Sequence, residues 1–378
     1  MEINRFKAGK YIRQYGYSSF SPEPVNHEWL VSDANVNRLL NDATRKLGEL
    51  NAFSTLIPDV DFFIRMHITK EATKSSRIEG TQTSMEEAIQ TAEYINPEKR
   101  DDWQEVHNYI EAMNDAIAQL ENLPLSNRLL KQTHKRLLQG VRGKYKLPGE
   151  FRTSQNWIGG ATLTDASYIP PHHSEVPDLM SDLEKFLNND ELQAPPLIRI
   201  GIAHYQFETI HPFLDGNGRL GRLLITLYLV SNNILSKPVL YLSDFFERNR
   251  IHYYDNLTVV RTQNNLVQWL KFFMVGVLET AENSIQTFHE IIKLRKEVEE
   301  KKIITLGKRV PVAMELIRYL YTKPIVDAPE VAKVLEVNIS TAHRLIQEFE
   351  KLKILKEQTG FKRNRIFIFE QYLNLFNR

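Results

Sequence analysis

The chain has 378 residues, with 48 Lys and Arg against 47 Asp and Glu, 42% hydrophobic residues and no cysteine. Its length fits two or three domains, its composition is that of a globular protein, and its charge balance argues against a polyanion-coating protein while leaving room for a local basic patch. The missing cysteines exclude disulfides, thiolate metal sites and a cysteine nucleophile; together with a polar N-terminus and no bilayer-length apolar run, they predict a cytoplasmic protein without a membrane partner.

Residues 1–35 are rich in aromatics and turn formers, as in Tyr15-Gly16-Tyr17 and Ser21-Pro22-Glu23-Pro24, and read as an irregular arm on a folded body. From Asn35 onward Val36, Leu39, Leu40, Leu47 and Leu50 recur at helical spacing. Further helices are predicted over 62–78, stopped by Gly80, and over 85–94, 103–120 and 125–139. The stretch 147–171 holds Gly149, Gly159, Gly160 and Pro170-Pro171 among Thr, Trp, Ile and Tyr, which predicts a β-hairpin or extended flap in a helical protein. Helices resume over 176–187, 197–210, 253–260 and 266–278. A charged helix over 280–303, with a thin stripe of Ile285, Phe288, Ile292 and Val298, reads as a connector. The tail from Thr305 offers helices over 310–321, 328–335 and 340–352, then strand-like runs around Thr359-Gly360. Three helices and a hairpin resemble a winged helix-turn-helix.

One segment concentrates polar chemistry between two apolar helical stretches. Residues 211–222 read His-Pro-Phe-Leu-Asp-Gly-Asn-Gly-Arg-Leu-Gly-Arg. Glycines at 216 and 218 let several N–H groups point one way, and a helix starting there adds its unpaired N–H groups and positive dipole end. Arg219 and Arg222 lie three apart and share a helix face. Asp215 would repel a phosphate unless a cation such as magnesium lies between them. His211, when neutral, can take a proton from an attacking hydroxyl. A capping turn accounts for any one of these residues, whereas the set points to phosphoryl or nucleotidyl transfer.

At every defined position the segment resembles the Fic motif, His-Pro-Phe-x-Asp/Glu-Gly-Asn-Gly-Arg-x-x-Arg. The resemblance implies a mainly α protein with a Fic-type helical core and a β-hairpin flap. It implies transfer of AMP from ATP to a Ser, Thr or Tyr hydroxyl of a target protein, self-modification included. His211 would be the general base and Asp215 the Mg2+ ligand. Gly216, Asn217 and Gly218 would cradle phosphate, and Arg219-Leu220-Gly221-Arg222 would complete the nucleotide-binding run, its arginines clamping the outer phosphates.

Ser75-Ser76-Arg77-Ile78-Glu79-Gly80 resembles the inhibitory motif of the same family, Ser/Thr-x-x-x-Glu-Gly/Asn. A helix puts Ser75 and Glu79 on one face and Gly80 ends it. The resemblance implies that Glu79 pairs with Arg219 and occupies the place of the γ-phosphate. Asn156, Trp157 and Ile158 fall in the expected flap, where target backbone would add along an edge. Arg250 and Tyr254 fall where the family holds the adenine and ribose. The organisation expected is an arm and helical region with the inhibitory helix over 1–110, a Fic core over 111–279, a connector over 280–304 and a winged helix-turn-helix over 305–378. A homodimer that controls access of Glu79 is a family expectation.

Two other readings stand beside this one. The same site would remove AMP from modified proteins if Glu79 orients a water. Alternatively, a Fic core senses nucleotide for a DNA-binding regulator, with Ser340 to Arg344 opening a recognition helix and Lys362-Arg363-Asn364-Arg365 on a wing. Glu348 and Glu350 on that helix count against DNA, which is not the favoured partner.

Overall fold

A computed structural model describes residues 1–56, 60–360 and 364–377. The N-terminal arm is not irregular. Strands β1 (Gly9–Arg13) and β2 (Ser18–Pro22) pair antiparallel around a turn at Gly16, and Phe20 of β2 is buried. Aromatic residues between turn formers suit a half-buried hairpin, which is why the same composition that reads as a loop folds as one.

Helices α1 (Ala34–Leu56) and α2 (Val60–Ile78) follow, then the short α3 (Met85–Ile89), α4 (Arg100–Gln119) and α5 (Asn127–Leu137). The helix predicted over 85–94 is broken: Ser84 and Glu87 form a reciprocal cap at its start, and a separate turn of 3-10 helix covers Ala92–Tyr94. After the flap come α6 (Val176–Asn188), α7 (Pro196–Ile210), α8 (Asn217–Ser231), α9 (Ser243–Arg248), α10 (Arg250–Gln263) and α11 (Leu266–Glu297). Every residue of α7 after Pro196 is buried, the pattern of a helix enclosed by others. Helices α6, α8 and α11 pack around it, and Trp269 donates to the Gly201 carbonyl across the α7–α11 contact at 2.7 Å.

Helix α11 is continuous through residue 280, so the stretch read as a connector is the second half of a core helix. It packs along α1 and buries Ser284, Ile285, Phe288 and Ile291. The stripe passes through Ile291, while Ile292 faces solvent. A thin apolar face suffices because α1 covers it along its length.

The C-terminal unit runs α12 (Val310–Thr322), β3 (Ile325–Asp327), α13 (Ala328–Val334), α14 (Ile339–Lys351), β4 (Lys356–Glu357) and β5 (Ile366–Ile368), with sheet order β3-β5-β4; α15 (Glu370–Leu373) closes it. Asp327 and Asn338 cap α13 and α14 through Glu330 N–H and Thr341 N–H, each at 2.8 Å. Arg365 faces the carboxylates of Glu350 and Glu357, while Lys362 and Arg363, singled out above, lie outside the described residues.

This unit sits on α2. Phe63 meets Tyr321 and Tyr372 at ring distances of 5.8 and 6.2 Å, and His67 lies between Phe288 and Phe376. Tyr94 donates to Asp327 at 2.6 Å and Asn377 to Glu86 at 2.9 Å. The other end of α2 reaches Arg222 in the 211–222 segment. No helix among the described residues is long and apolar enough to cross a membrane.

Candidate active site

Helix α7 ends at Ile210 because Pro212 cannot extend it and His211 takes a left-handed conformation, φ 50° and ψ 61°. The His211 carbonyl accepts from Arg152 Nε at 3.0 Å and from Asn156 Nδ2 at 3.3 Å. Burial, then the nearby Arg152 charge, pushes the imidazole down to about 4. His211 is therefore neutral at pH 7 and able to receive a proton.

The turn after it is held from inside. Asn217 accepts from the Phe213 N–H and donates to the Phe213 carbonyl, both at 2.8 Å. That ties residues 213–217 into a closed loop and commits the Asn217 side chain to structure. Gly216 adopts φ 75°, a conformation costly for residues with a Cβ. His134 of α5 accepts from the Gly149 N–H on Nδ1 at 2.9 Å, so its Nε2 carries the proton given to the Asp215 carbonyl at 2.8 Å. Its ring also stacks on Phe213 at 3.8 Å. The Asp215 carboxylate is left partly exposed at the rim.

Three further histidines among the described residues are, like His211, neutral because burial lowers them: His67 to about 3, His134 to about 4 and His204 to about 3. Since the unfolded chain protonates near 6.5, the stability they contribute is present above that value and lost as pH falls towards 4. Thermal melting should show a steep fall in midpoint between pH 6.5 and 4. A flat profile there would contradict these assignments.

The two motif arginines have different partners. Arg222 is buried and is gripped by the Ser75–Glu79 pair: Nε donates to Ser75 Oγ at 2.9 Å, Nη2 to the Ser75 carbonyl at 2.9 Å, and Nη2 to Glu79 Oε1 at 2.7 Å. The expected Glu79–Arg219 pair does not form. Arg219 instead donates to Glu105 of α4 at 3.1 Å and faces Asp215 at 3.7 Å. The reason is geometric: α2 runs beside Arg222, one helical turn further along α8, and α4 covers Arg219. Burial raises the Glu79 carboxyl, but Arg222, joined by Arg219 and His211, outweighs this and holds it below the ordinary carboxylate value. Glu79 follows the last residue of α2, Gly80 after it has φ 105°, and the side chain keeps 35% of its exposure.

Glu79 also reaches the start of α8. A Cβ on Gly218 would lie 2.4 Å from Glu79 Oε1 and 3.0 Å from Arg222 Nη1. Gly218 leaves room for an anion against the first turn of α8, and a carboxylate is seated there. Leu220 points into the core, and the Gly221 carbonyl accepts a hydrogen bond at His204 Nδ1, 2.8 Å away, so these two residues support α8 from behind.

On the neighbouring wall, Tyr254 is half exposed with the Arg250 guanidinium 6.0 Å from its ring centre. Burial and then Glu79 raise the Tyr254 hydroxyl, so its phenol stays protonated beside this anion-binding corner. The flap is less regular than predicted, a loop closed by a bridge between Ile158 and Tyr168. Asn156 points inward, donating to the Phe213 carbonyl at 2.9 Å. Ile158 uses its backbone on Tyr168 and Ser167. Of the three flap residues, Trp157 turns outward, with 39% of its surface exposed.

Sequence reading missed Arg152, His134, Glu105 and Glu208. Glu208, one turn before His211, is buried and pushed up to about 7 by burial. Its carboxylate passes Gly221 so closely that a Cβ there would stand 2.2 Å away. None of the four lies inside the motif, and each acts across a tertiary contact.

Residues 37–118 match the Fic/DOC family N-terminal profile and residues 124–229 match the Fic/DOC family profile. The chain is 28% identical over 234 residues to a Drosophila mojavensis protein named Protein adenylyltransferase Fic, covering 57% of this chain and 44% of that one. It thus spans under half the length of this curated relative. A crystal structure of a Fic family protein from Desulfovibrio desulfuricans G20 superposes with TM-score 0.55 at 19% identity, over 91% of this chain and 98% of that one. A fragment of C. elegans Fic-1 does so with TM-score 0.51 at 24% identity, over 68% of this chain and 74% of that one. At these identities the two structures speak to the fold.

Proposed function

Because the chain belongs to the Fic/DOC family, we propose that it is a protein adenylyltransferase held in a restrained state by Glu79. The observation that carries this reading is the Glu79 carboxylate on Gly218 and Arg222, beside a neutral His211. A site built for an anion has an anion of the same chain seated in it.

In the active state the phosphates of ATP take the place of that carboxylate. The α8 N-terminus and Arg222 bind the negative charge, and Arg219 adds a second guanidinium. A target hydroxyl docked along the flap gives its proton to His211 and attacks the α-phosphorus, and pyrophosphate leaves. Trp157, facing outward from the flap, offers the target an apolar contact. Tyr254 and Arg250 flank the adenosine end.

The partly exposed Asp215, a hard oxygen donor beside the phosphate cradle, would hold a Mg2+ ion. Such an ion would neutralise charge on the phosphates.

The test is transfer of label from ATP to protein when the Glu79→Gly variant is added to a cell lysate, counted above the same lysate without it. By that measure label on the α-phosphate should reach protein, whereas label on the γ-phosphate should not. Transfer of the γ-label would replace this reading with a kinase. Release of AMP from a premodified target, without forward transfer, would assign the removal reaction.

A further inference from the structure

Outside the motif, the chain buries a guanidinium directly behind the proposed base. Arg152 is 2% exposed, and no carboxylate pairs with it among the described residues. Burying an unpaired cation is costly unless its donors are satisfied. Here its partners are backbone carbonyls. Nε donates to the His211 carbonyl at 3.0 Å, and Nη2 to the Ile210 and Pro171 carbonyls at 3.3 and 2.5 Å. Nη1 donates to the Ser154 carbonyl at 3.3 Å, and the Arg152 backbone N–H donates to the Pro212 carbonyl at 2.9 Å.

Arg152 therefore takes three successive carbonyls, at 210, 211 and 212, where α7 stops and the chain turns left-handed. The first two are among the acceptors a helix C-terminus leaves without partners, at its negative dipole end, since α7 ends at Ile210 with His211 as its cap. The same side chain holds both ends of the flap, at Ser154 and Pro171. A planar fork of five N–H groups can serve acceptors on two segments at once, and an ammonium on a flexible stem cannot do so in fixed directions.

We propose that Arg152 is a positioning residue for the transfer reaction, one that fixes the His211 backbone and joins it rigidly to the target-docking flap. The proposal rests on His211 being the base. Arg152 touches neither nucleotide nor target. It sets where the imidazole stands relative to a hydroxyl presented by the flap, so base and flap shift together.

Other charges face His211 as well. Glu79 at the end of α2 favours its protonated form, while Arg261 of α10 and Arg152 disfavour it, and the backbone of Glu208 on its own helix favours it. This separates positioning from charge. In a Glu79→Gly background, Arg152→Lys keeps the cation but loses the fork. Its kcat should drop on the order of 10- to 100-fold with KM for ATP within twofold, and the His211 titration midpoint read by NMR should stay low. Arg152→Gln should lose a similar factor in kcat and also move the midpoint upward. A folded Arg152→Lys protein with kcat within twofold of its parent overturns the proposal. So does a loss falling on KM for ATP, or an unmoved midpoint in Arg152→Gln. If the parent transfers no AMP, the functional reading fails, and the NMR midpoint of Arg152→Gln still decides whether this arginine acts on His211. Should Arg152→Gln not fold, the kcat and KM of Arg152→Lys decide alone.

Discussion

His211→Ala should abolish transfer of α-labelled AMP while leaving the fold intact. Removal of a general base costs on the order of 100- to 10,000-fold. The fold should survive because the bonds that shape the turn pass through the 211 backbone, whose carbonyl accepts from Arg152 and Asn156. The measurement is labelling rate beside the melting temperature, both in a Glu79→Gly background. Undiminished labelling by a folded variant would remove His211 from the mechanism.

Glu79→Gly should raise labelling on the order of tenfold to a hundredfold, the range of a coupling of about 1–3 kcal/mol. The carboxylate competes for Arg222 and for the space at Gly218, so its loss frees both. The geometry sharpens the control. Arg219→Ala should not mimic Glu79→Gly, because Arg219 pairs with Glu105. Arg222→Ala breaks the restraint but also removes the phosphate clamp, so it should stay inactive. Wild type and Glu79→Gly labelling at equal rates would rule out the restraint.

The helices were legible because their apolar faces repeat at helical spacing, and the motif because its chemistry is contiguous. The partner of Glu79 was not. Arg219 and Arg222 share a face in sequence terms, and what separates them is the packing of α2 on one and α4 on the other. Arg152 and His134 were illegible for a different reason: both act on backbone carbonyls, which leave no trace in side-chain identity. The hairpin within the arm at 1–35 meets the flap, where the Phe20 ring lies 6.3 Å from that of Tyr168 and the Phe20 N–H donates to the Ile169 carbonyl at 2.9 Å. Only the folded chain brings those segments together.

Helix α2 works as a rod with a load at each end. Phe63 and His67 are wedged among Tyr321, Tyr372, Phe288 and Phe376 at one end, and Ser75 and Glu79 hold Arg222 at the other. At 1.5 Å per residue the span from Phe63 to Glu79 is roughly 24 Å. Cutting the chain before α12 would strip Tyr321, Tyr372 and Phe376 from the far end of that rod and leave Phe288 alone against it. A shortened protein would therefore be a different machine at residue 79, even though the cut falls more than two hundred residues away in sequence.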